Sequence, residues 1–416
     1  MAAFFLGAPG AMRPTGHSLP RNLIPVKTKC ADELDAPRAR EPGLSSLDGY
    51  IAGCYKDDAL IARASCLANP QKLMVRATNW IGDAVMSLPA LEALRERFPE
   101  TEIVSVAKPW VSELYSHHPA VDRQIVYEPD GKHHGPRGFW NLVRELRAEN
   151  FDGAILLQNA FHAAWMAWCA RIPVRAGYAC EARDGLLTTA VEPPGPAYYG
   201  HQTYYYLELL FRAGLINRPE AVTEVRLALD KAEKVWAAQA LETLGLHGPR
   251  FLVGLNPGAA FGPAKRWPAD RFAALADRLV GGLHADVLIF GSASERPLAE
   301  EIAREMDHTP TIVAGSTTLR QWMALLERCR LVVTNDSGGM HLAAALGLPV
   351  VAVFGSTDAD ATGPLGSRTR VVRRPVECSP CGLRECPIDF RCMTGVTVED
   401  VYQAALELVA QVEATA

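Results

Sequence analysis

Between Leu331 and Phe354 the chain reads LVVTNDSGGMHLAAALGLPVVAVF. An apolar run, Leu331–Val333, meets a polar turn of Thr334, Asn335, Asp336, Ser337, Gly338 and Gly339. A helix-like run, Met340–Leu346, follows and is ended by Gly347 and Pro349, and Val350–Phe354 is a second apolar run. This is the pattern of strand, tight turn, helix and parallel strand, which commits the surrounding chain to an α/β layer structure. At the helix N-terminus, backbone N–H groups without an intrahelical partner and the helix dipole both favour an anion. Small residues let a phosphate approach closely. Asn335–Gly339 therefore reads as a phosphate cradle. An ordinary capped helix, with Ser337 or Asp336 as N-cap, is the other reading.

The rest of the chain repeats the pattern. Strands are predicted at Leu73–Ala77, Glu102–Val106, Arg123–Val126 and Gly153–Leu157, and again at Phe251–Leu255, Asp286–Phe290, Thr311–Val313, Leu331–Thr334 and Val350–Phe354. Helices are predicted between them, among them Ala84–Phe98, Val111–His117, Phe139–Arg147, Ala160–Ala170, His201–Ala213 and Lys231–Leu244. Two doubly wound domains result, 71–230 and 231–416, with a cleft between the carboxyl ends of their strands, where α/β proteins bind ligands. Residues 1–70 lack sustained periodicity and read as a poorly ordered extension. Their Phe4–Leu6 run is too short for the core of a signal peptide, which needs about 7–15 apolar residues. A net charge of −5 gives no general case for a nucleic-acid partner. No apolar run approaches the roughly 20 residues that span a bilayer.

Three turns carry candidate chemistry. Gly82-Asp83 opens the helix after the first strand, where Asp83 is either a first-turn carboxylate or a general base kept ionised by the helix N-terminus. LNPGAAFGPAKRWP, Leu255–Pro268, places Lys265 and Arg266 in a Gly/Pro-shaped loop at a strand's carboxyl end, suited to a diphosphate. Glu295, after the next strand, is placed to accept from a ribose or to cap its helix. His341 lies one turn into the helix that follows the cradle. The chain has no G-x-G-x-x-G, Walker A loop, nucleophile elbow or H-E-x-x-H. Asp358 and Asp360 read as parts of a polar loop. Cys378, Cys381, Cys386 and Cys392 form a dense cluster in a cysteine-rich loop, 378–392, that can hold a structural zinc or remain free thiols.

Together, NWIGDAVMS, NPGAAFGPAKRWP and TNDSGGMHLAAALG, in this order, resemble the ADP-heptose:lipopolysaccharide heptosyltransferases of glycosyltransferase family 9. The resemblance runs from about Leu73 to the C-terminus. It implies a GT-B fold of two Rossmann-like domains, the first for a lipid-linked inner-core acceptor and the second for ADP-heptose. It implies inverting transfer with no metal required for catalysis. Asp83 matches the base, Lys265 the basic residue on the nucleotide sugar, and Asp336, Ser337, Gly338, Gly339 and His341 the donor turn. Glu295 matches an acidic residue near the adenosine. It also implies work at the cytoplasmic face of the inner membrane, with peripheral contact to it. An anionic acceptor calls for a local basic surface. Arg175 and Arg183, with Gln158 and Asn159 for sugar hydroxyls, are the candidates after the Gly153–Leu157 strand, alongside His162 and Arg171. The rival readings are another heptosyltransferase of the family and a non-catalytic nucleotide-binding α/β protein.

Overall fold

The computed structural model describes residues 67, 69–195, 200–246, 248 and 250–414. Nearly all of the predicted extension lies outside the described residues.

Two six-stranded sheets organise the rest, and every strand pair is parallel. The first contains β1 (Lys72–Arg76), β2 (Glu102–Ala107), β3 (Arg123–Val126), β4 (Gly153–Leu156), β5 (Val174–Tyr178) and β6 (Thr189–Val191), in the order β3-β2-β1-β4-β5-β6. The second contains β7 (Phe251–Asn256), β8 (Ala285–Ile289), β9 (Thr311–Ile312), β10 (Leu331–Asn335), β11 (Val350–Phe354) and β12 (Thr369–Arg373), in the order β12-β11-β10-β7-β8-β9. Both are doubly wound, with the order reversing between β1 and β4 in one sheet and between β7 and β10 in the other. At such a reversal the helices diverge to opposite faces and leave a crevice at the carboxyl ends of the strands. β10 and β11 are buried along their whole length, as strands covered on both faces must be.

The helices that matter here are α1 (Ile81–Met86), α2 (Leu88–Arg97), α3 (Gly135–Ala148), α4 (Phe161–Cys169), α5 (Gln202–Arg212), α6 (Lys231–Thr243), α7 (Ala269–Leu283), α8 (Arg296–Glu305), α9 (Leu319–Leu326), α10 (Gly338–Ala345) and α11 (Val398–Glu413). The predicted helix Ala84–Phe98 is two helices. Pro89 lacks the N–H that a continuous helix needs, and Ser87 serves as C-cap of α1 and N-cap of α2. The predicted helix at Val111–His117 is a four-residue turn, Pro109–Ser112, and a 3₁₀ turn, Glu113–Tyr115. Three strands escaped prediction. β5 contains Arg175 and Gly177, β6 is only three residues long, and β12 is an edge strand with Arg370 and Arg373. None of them offers the unbroken apolar run of a central strand.

In the chain, α6 follows the first sheet and precedes the second. One apolar cluster includes Leu73, Val85 and Leu91 from the first half and Met323, Met340 and Phe354 from the second. Arg320 of α9 adds a polar tie across the boundary and another to α6. Its backbone N–H donates to Glu113 at 3.1 Å, and its guanidinium grips both carboxylate oxygens of Glu233 at 2.6 Å. His201 donates from Nε2 to the Gly363 carbonyl at 2.9 Å, because its Nδ1 already accepts from Thr203 N–H.

The folded part begins before the expected boundary at residue 70. Leu67 is buried, and its methyl groups lie where a side chain on Gly153 would stand. Thr101 Oγ1 donates to the Pro70 carbonyl at 2.6 Å. Cutting at residue 70 would therefore uncover the end of β4. Leu67→Ala should lower the unfolding free energy by about 2 kcal/mol, the low end for a buried leucine. Urea denaturation measures this, and an unchanged midpoint would show that Leu67 is not an anchor.

Candidate active site

Both order reversals carry the turns singled out in the sequence. β7 ends at Asn256 and runs into the loop that holds Lys265, while β10 ends at Asn335 and runs into Asp336–Gly339. On the other side of the cleft, β1 ends at Arg76 and leads to Asp83 in the first turn of α1.

The second half builds a charged pair at its reversal point. Lys265 Nζ lies 2.6 Å from Asp336 Oδ2, and the same oxygen accepts from Thr357 Oγ1 at 2.6 Å. Both partners are largely buried, and Lys265 Nζ stands 4.8 Å above the Phe261 ring. The Lys265 loop is fixed by Asn335. Its amide oxygen accepts from Trp267 N–H at 3.0 Å and its amide nitrogen donates to the Pro257 carbonyl at 2.6 Å. Asn335 is fully buried, so its side chain is a strut under the cradle and not a lining group.

Ser337 begins α10 in extended conformation, and its hydroxyl accepts from Asn256 Nδ2 at 2.7 Å. The two glycines have separate reasons. A Cβ on Gly339 would stand 2.5 Å from Asn256 Nδ2 and 2.9 Å from the Trp322 ring. One on Gly338 would stand 2.9 Å from Ile81 Cβ of α1. In return, a Cβ on Gly82 would meet His341 Cδ2 at 3.0 Å. The small residues read as room for a phosphate thus also let the N-terminal ends of α1 and α10 abut. Two positive dipole ends so opposed make a strong local preference for anionic groups.

Asp83 is half-buried at this junction. Burial raises its carboxyl pKa above the ordinary value, and Asp336 adds to the rise. A Tyr206 hydrogen bond and the Lys265 charge oppose it. The helix N-terminus favours the ionised form, but desolvation of the Asp83 carboxylate works against it and sets the direction of the shift. His341 is buried and its imidazole is pushed down to about 4, which leaves it neutral at pH 7.

Other expected residues fall into place unevenly. Glu295 caps its own turn, accepting from Ser292 N–H and Oγ, both at 2.8 Å. Its second oxygen occupies the space a Cβ on Gly258 would need, 2.0 Å away. Arg266 reaches the Ala259 carbonyl at 3.4 Å, and its buried Nε has no partner among the described residues.

The acceptor arginines are used internally. Arg183 is fully buried and donates to the carbonyls of Tyr178 and Gln158 and to Asn159 Oδ1. Arg175 donates to the carbonyls of Leu186, Ile172 and Pro173. Asn159 also donates to the Tyr205 hydroxyl at 2.7 Å. The half-buried Gln158 amide at the end of β4 has no such engagement among the described residues. Sequence reading could not see this, because an arginine near a strand end looks the same whether it faces a ligand or its own backbone. Arg183→Ala should therefore act on stability, at about 2–4 kcal/mol for orphaned buried carbonyls, and not selectively on acceptor KM. Thermal denaturation beside acceptor kinetics separates the two effects, and a raised KM at unchanged stability would restore Arg183 to the acceptor site.

The structure offers different cations. Arg76 is buried at the end of β1, donating to the carbonyls of Ala77 and Val106 and to Asn79 Oδ1. Burial lowers it to about 10, so it stays charged at pH 7, and no carboxylate pairs with it among the described residues. Lys108, at the end of β2, is lowered by burial and by Arg76, and rests 4.9 Å over the Trp110 ring. Arg76 lies inside the strand predicted at Leu73–Ala77, where a charged residue gives no signal of role. Thr357 and Tyr206 were missed too, because a lone hydroxyl near a strand end or within a helix is too common to single out.

The four cysteines do not form a closed zinc site. Zinc–sulfur bonds of about 2.3 Å would hold the sulfurs within roughly 4 Å of one another. No three of them lie within 4.8 Å of each other. Among the described residues only His117, Asp230 and Glu233 meet that limit, and Asp230 and Glu233 form the capping box of α6. The cysteine-rich loop instead braces the Lys265 loop and the segment after β11. Arg384's carbonyl accepts from Ala264 N–H at 3.0 Å, and Cys381 and Gly382 donate to the Ser356 carbonyl.

Residues 139–390 match the family model of glycosyltransferase family 9 (heptosyltransferase). The lipopolysaccharide heptosyltransferase 2 of Salmonella typhimurium is 34% identical over 313 residues, 73% of this chain and 88% of that protein. The lipooligosaccharide heptosyltransferase 2 of Haemophilus influenzae is 32% identical over 311 residues, covering 72% and 88%. The solved structure of E. coli ADP-heptose lps heptosyltransferase II superposes with a TM-score of 0.71 at 30% identity, covering 82% of this chain and 99% of that one. The chain belongs to glycosyltransferase family 9, the heptosyltransferases.

Proposed function

We propose that this chain moves L-glycero-D-manno-heptose from ADP-heptose to the heptose-I-bearing inner core of lipopolysaccharide, with inversion at the anomeric carbon. The observation that carries the reading is the meeting of three groups at one helix-to-helix junction. Asp83 lies within electrostatic reach of both Lys265 and Asp336, on the opposite side of the cleft. The names of the Salmonella and E. coli relatives supply the sugar, the nucleotide and the acceptor class.

In the reaction, an acceptor hydroxyl attacks the anomeric carbon while the bond to the ADP oxygen breaks on the opposite face. Asp83 takes the hydroxyl proton. The departing diphosphate gains negative charge, which Lys265 and the N-terminus of α10 at Ser337–Gly339 are placed to stabilise. These fixed positive groups do the work a divalent metal does elsewhere, so the chemical step needs none. Asp336 and Thr357 hold the Lys265 ammonium in position. Glu295, beside Gly258, suits the nucleoside end of the donor. Arg76 and Lys108 supply positive potential on the acceptor side, with Gln158 for a sugar hydroxyl. The site of action is the cytoplasmic face of the inner membrane, reached peripherally. Among the described residues no helix is long and apolar enough to cross a membrane.

Mass spectrometry of the product formed from ADP-heptose and a heptose-I-bearing core lipid tests the reading. The expected result is a gain of one heptose. Transfer only to a different truncated core would point to another acceptor within the family. Tight ADP binding without transfer to any core would reduce the chain to a nucleotide-binding protein.

A further inference from the structure

The first half of the molecule wears its tryptophans on the outside. Trp140 is 49% exposed, Phe161 45%, Trp165 36% and Trp168 51%. Phe161, Trp165 and Trp168 are spaced i, i+4, i+7, so they form one stripe along α4. Trp140 projects from the adjoining α3, and the ring of its neighbour Phe139 stacks on Trp165 at 4.1 Å. Among the described residues, no aromatic of the second half is among the exposed large apolar side chains.

The charges around this stripe are one-sided. Arg137, Arg144, Arg147 and Arg171 are all exposed, and none makes an ion pair among the described residues. The acids of the same region are engaged elsewhere. Glu145 faces Lys132 and His133, and Glu149 is held by Lys72 and Arg123. A groove of about 510 Å³ opens between Trp140 and Trp168, and Arg147, Arg171 and Arg175 line it. In a chain of net charge −5, this face is a local cationic exception.

The stripe is also continuous with the cleft. α4 starts just after the carboxyl end of β4. His162 stacks on Tyr127 at 5.7 Å, and Arg76 lies 5.5 Å over that same Tyr127 ring. Two further exposed tryptophans, Trp80 and Trp110, stand at the mouth, and Trp110 Nε1 donates to the Asn79 carbonyl at 3.0 Å.

We infer that the α3–α4 face is a membrane-docking surface for anionic phospholipid. Tryptophan rings settle at the boundary between headgroups and acyl chains, where an apolar body and an N–H are both accommodated. Uncompensated arginines beside them draw the surface to negative headgroups. Docked this way, the mouth of the cleft meets the bilayer where a lipid-linked acceptor would be offered, a consequence that rests on the proposed function. The lipid contact itself does not.

The test is co-sedimentation of the full chain with vesicles, together with tryptophan emission. Wild type should bind phosphatidylglycerol-containing vesicles with a blue-shifted emission, and bind pure phosphatidylcholine at least about tenfold more weakly. Trp140→Ser/Trp168→Ser should weaken vesicle binding roughly tenfold. Arg137→Glu/Arg144→Glu should abolish the preference for phosphatidylglycerol. Both variants alter exposed residues outside the catalytic junction, so turnover on a soluble, delipidated acceptor should be unchanged. Failure of wild type to bind vesicles, or binding by both variants equal to wild type, would overturn the inference. So would a wild-type dimer in sedimentation velocity that Trp140→Ser/Trp168→Ser dissolves, since a second copy would then be what covers the face. Vesicle binding without any heptose transfer would support the docking surface and overturn the proposed function alone.

Discussion

Asp83→Asn should leave fold and ADP affinity intact and cut turnover by roughly 10²–10⁴-fold, the range for loss of a general base. The amide keeps the shape of the carboxylate at the α1 N-terminus and can still meet the Tyr206 hydroxyl, but it cannot accept a proton. The wild-type pH profile carries the same argument. A base must be ionised to act, so activity is lost as pH falls through the Asp83 pKa. Burial and Asp336 raise that pKa, so the acid limb should lie above the usual aspartate value of 3.8. The raised value also makes Asp83 the stronger base once it is ionised. Steady-state kinetics from pH 4 to 8 on wild type and variant would decide the matter. Near-wild-type turnover in Asp83→Asn would remove it from the mechanism.

The second large effect belongs to Lys265. Lys265→Ala should lower kcat about 10²–10³-fold, as removal of one preorganised stabilising group commonly does, and should also weaken ADP binding. Its loss has a second consequence that a merely solvated lysine would not show. Asp336 would remain buried without its cation, held only by Thr357. Lys265 lowers the Asp83 pKa and Asp336 raises it. Without the lysine, the acid limb of the pH profile should move to higher pH. Calorimetry with ADP and a pH–rate profile of Lys265→Ala measure both effects, and unchanged affinity, rate and profile would show that the pair has no part in the reaction.

Much of this arrangement was legible before any coordinates. Central parallel strands are buried on both faces, so β11 appears in the sequence as an unbroken apolar run and β10 opens on one, Leu331–Val333. Each turn at a strand's carboxyl end then announces itself through glycine, proline and polar residues, which is how Asp83, Lys265 and Asp336 were found. Edge strands obey no such pattern. β12, Thr-Arg-Val-Val-Arg, is only partly buried at the sheet edge and carries two arginines, so its sequence resembles a loop.

What the sequence by itself determined was the layer architecture and the residues that stand at the mouths of the sheets, since both follow from local periodicity and turn chemistry. Only the tertiary structure decided which polar groups are available to a ligand. Arg183 and Asn335 look like binding residues in the sequence, yet each is spent on the protein's own backbone. Arg76 looks like an interruption in a strand, yet it is a buried cation with no carboxylate partner among the described residues. The raised pKa of Asp83 likewise comes from burial by its tertiary surroundings, with Asp336 adding to it and Tyr206 and Lys265 opposing it from distant parts of the chain. Hydrogen-bond satisfaction and desolvation are set by neighbours in space, and no spacing along the chain encodes them.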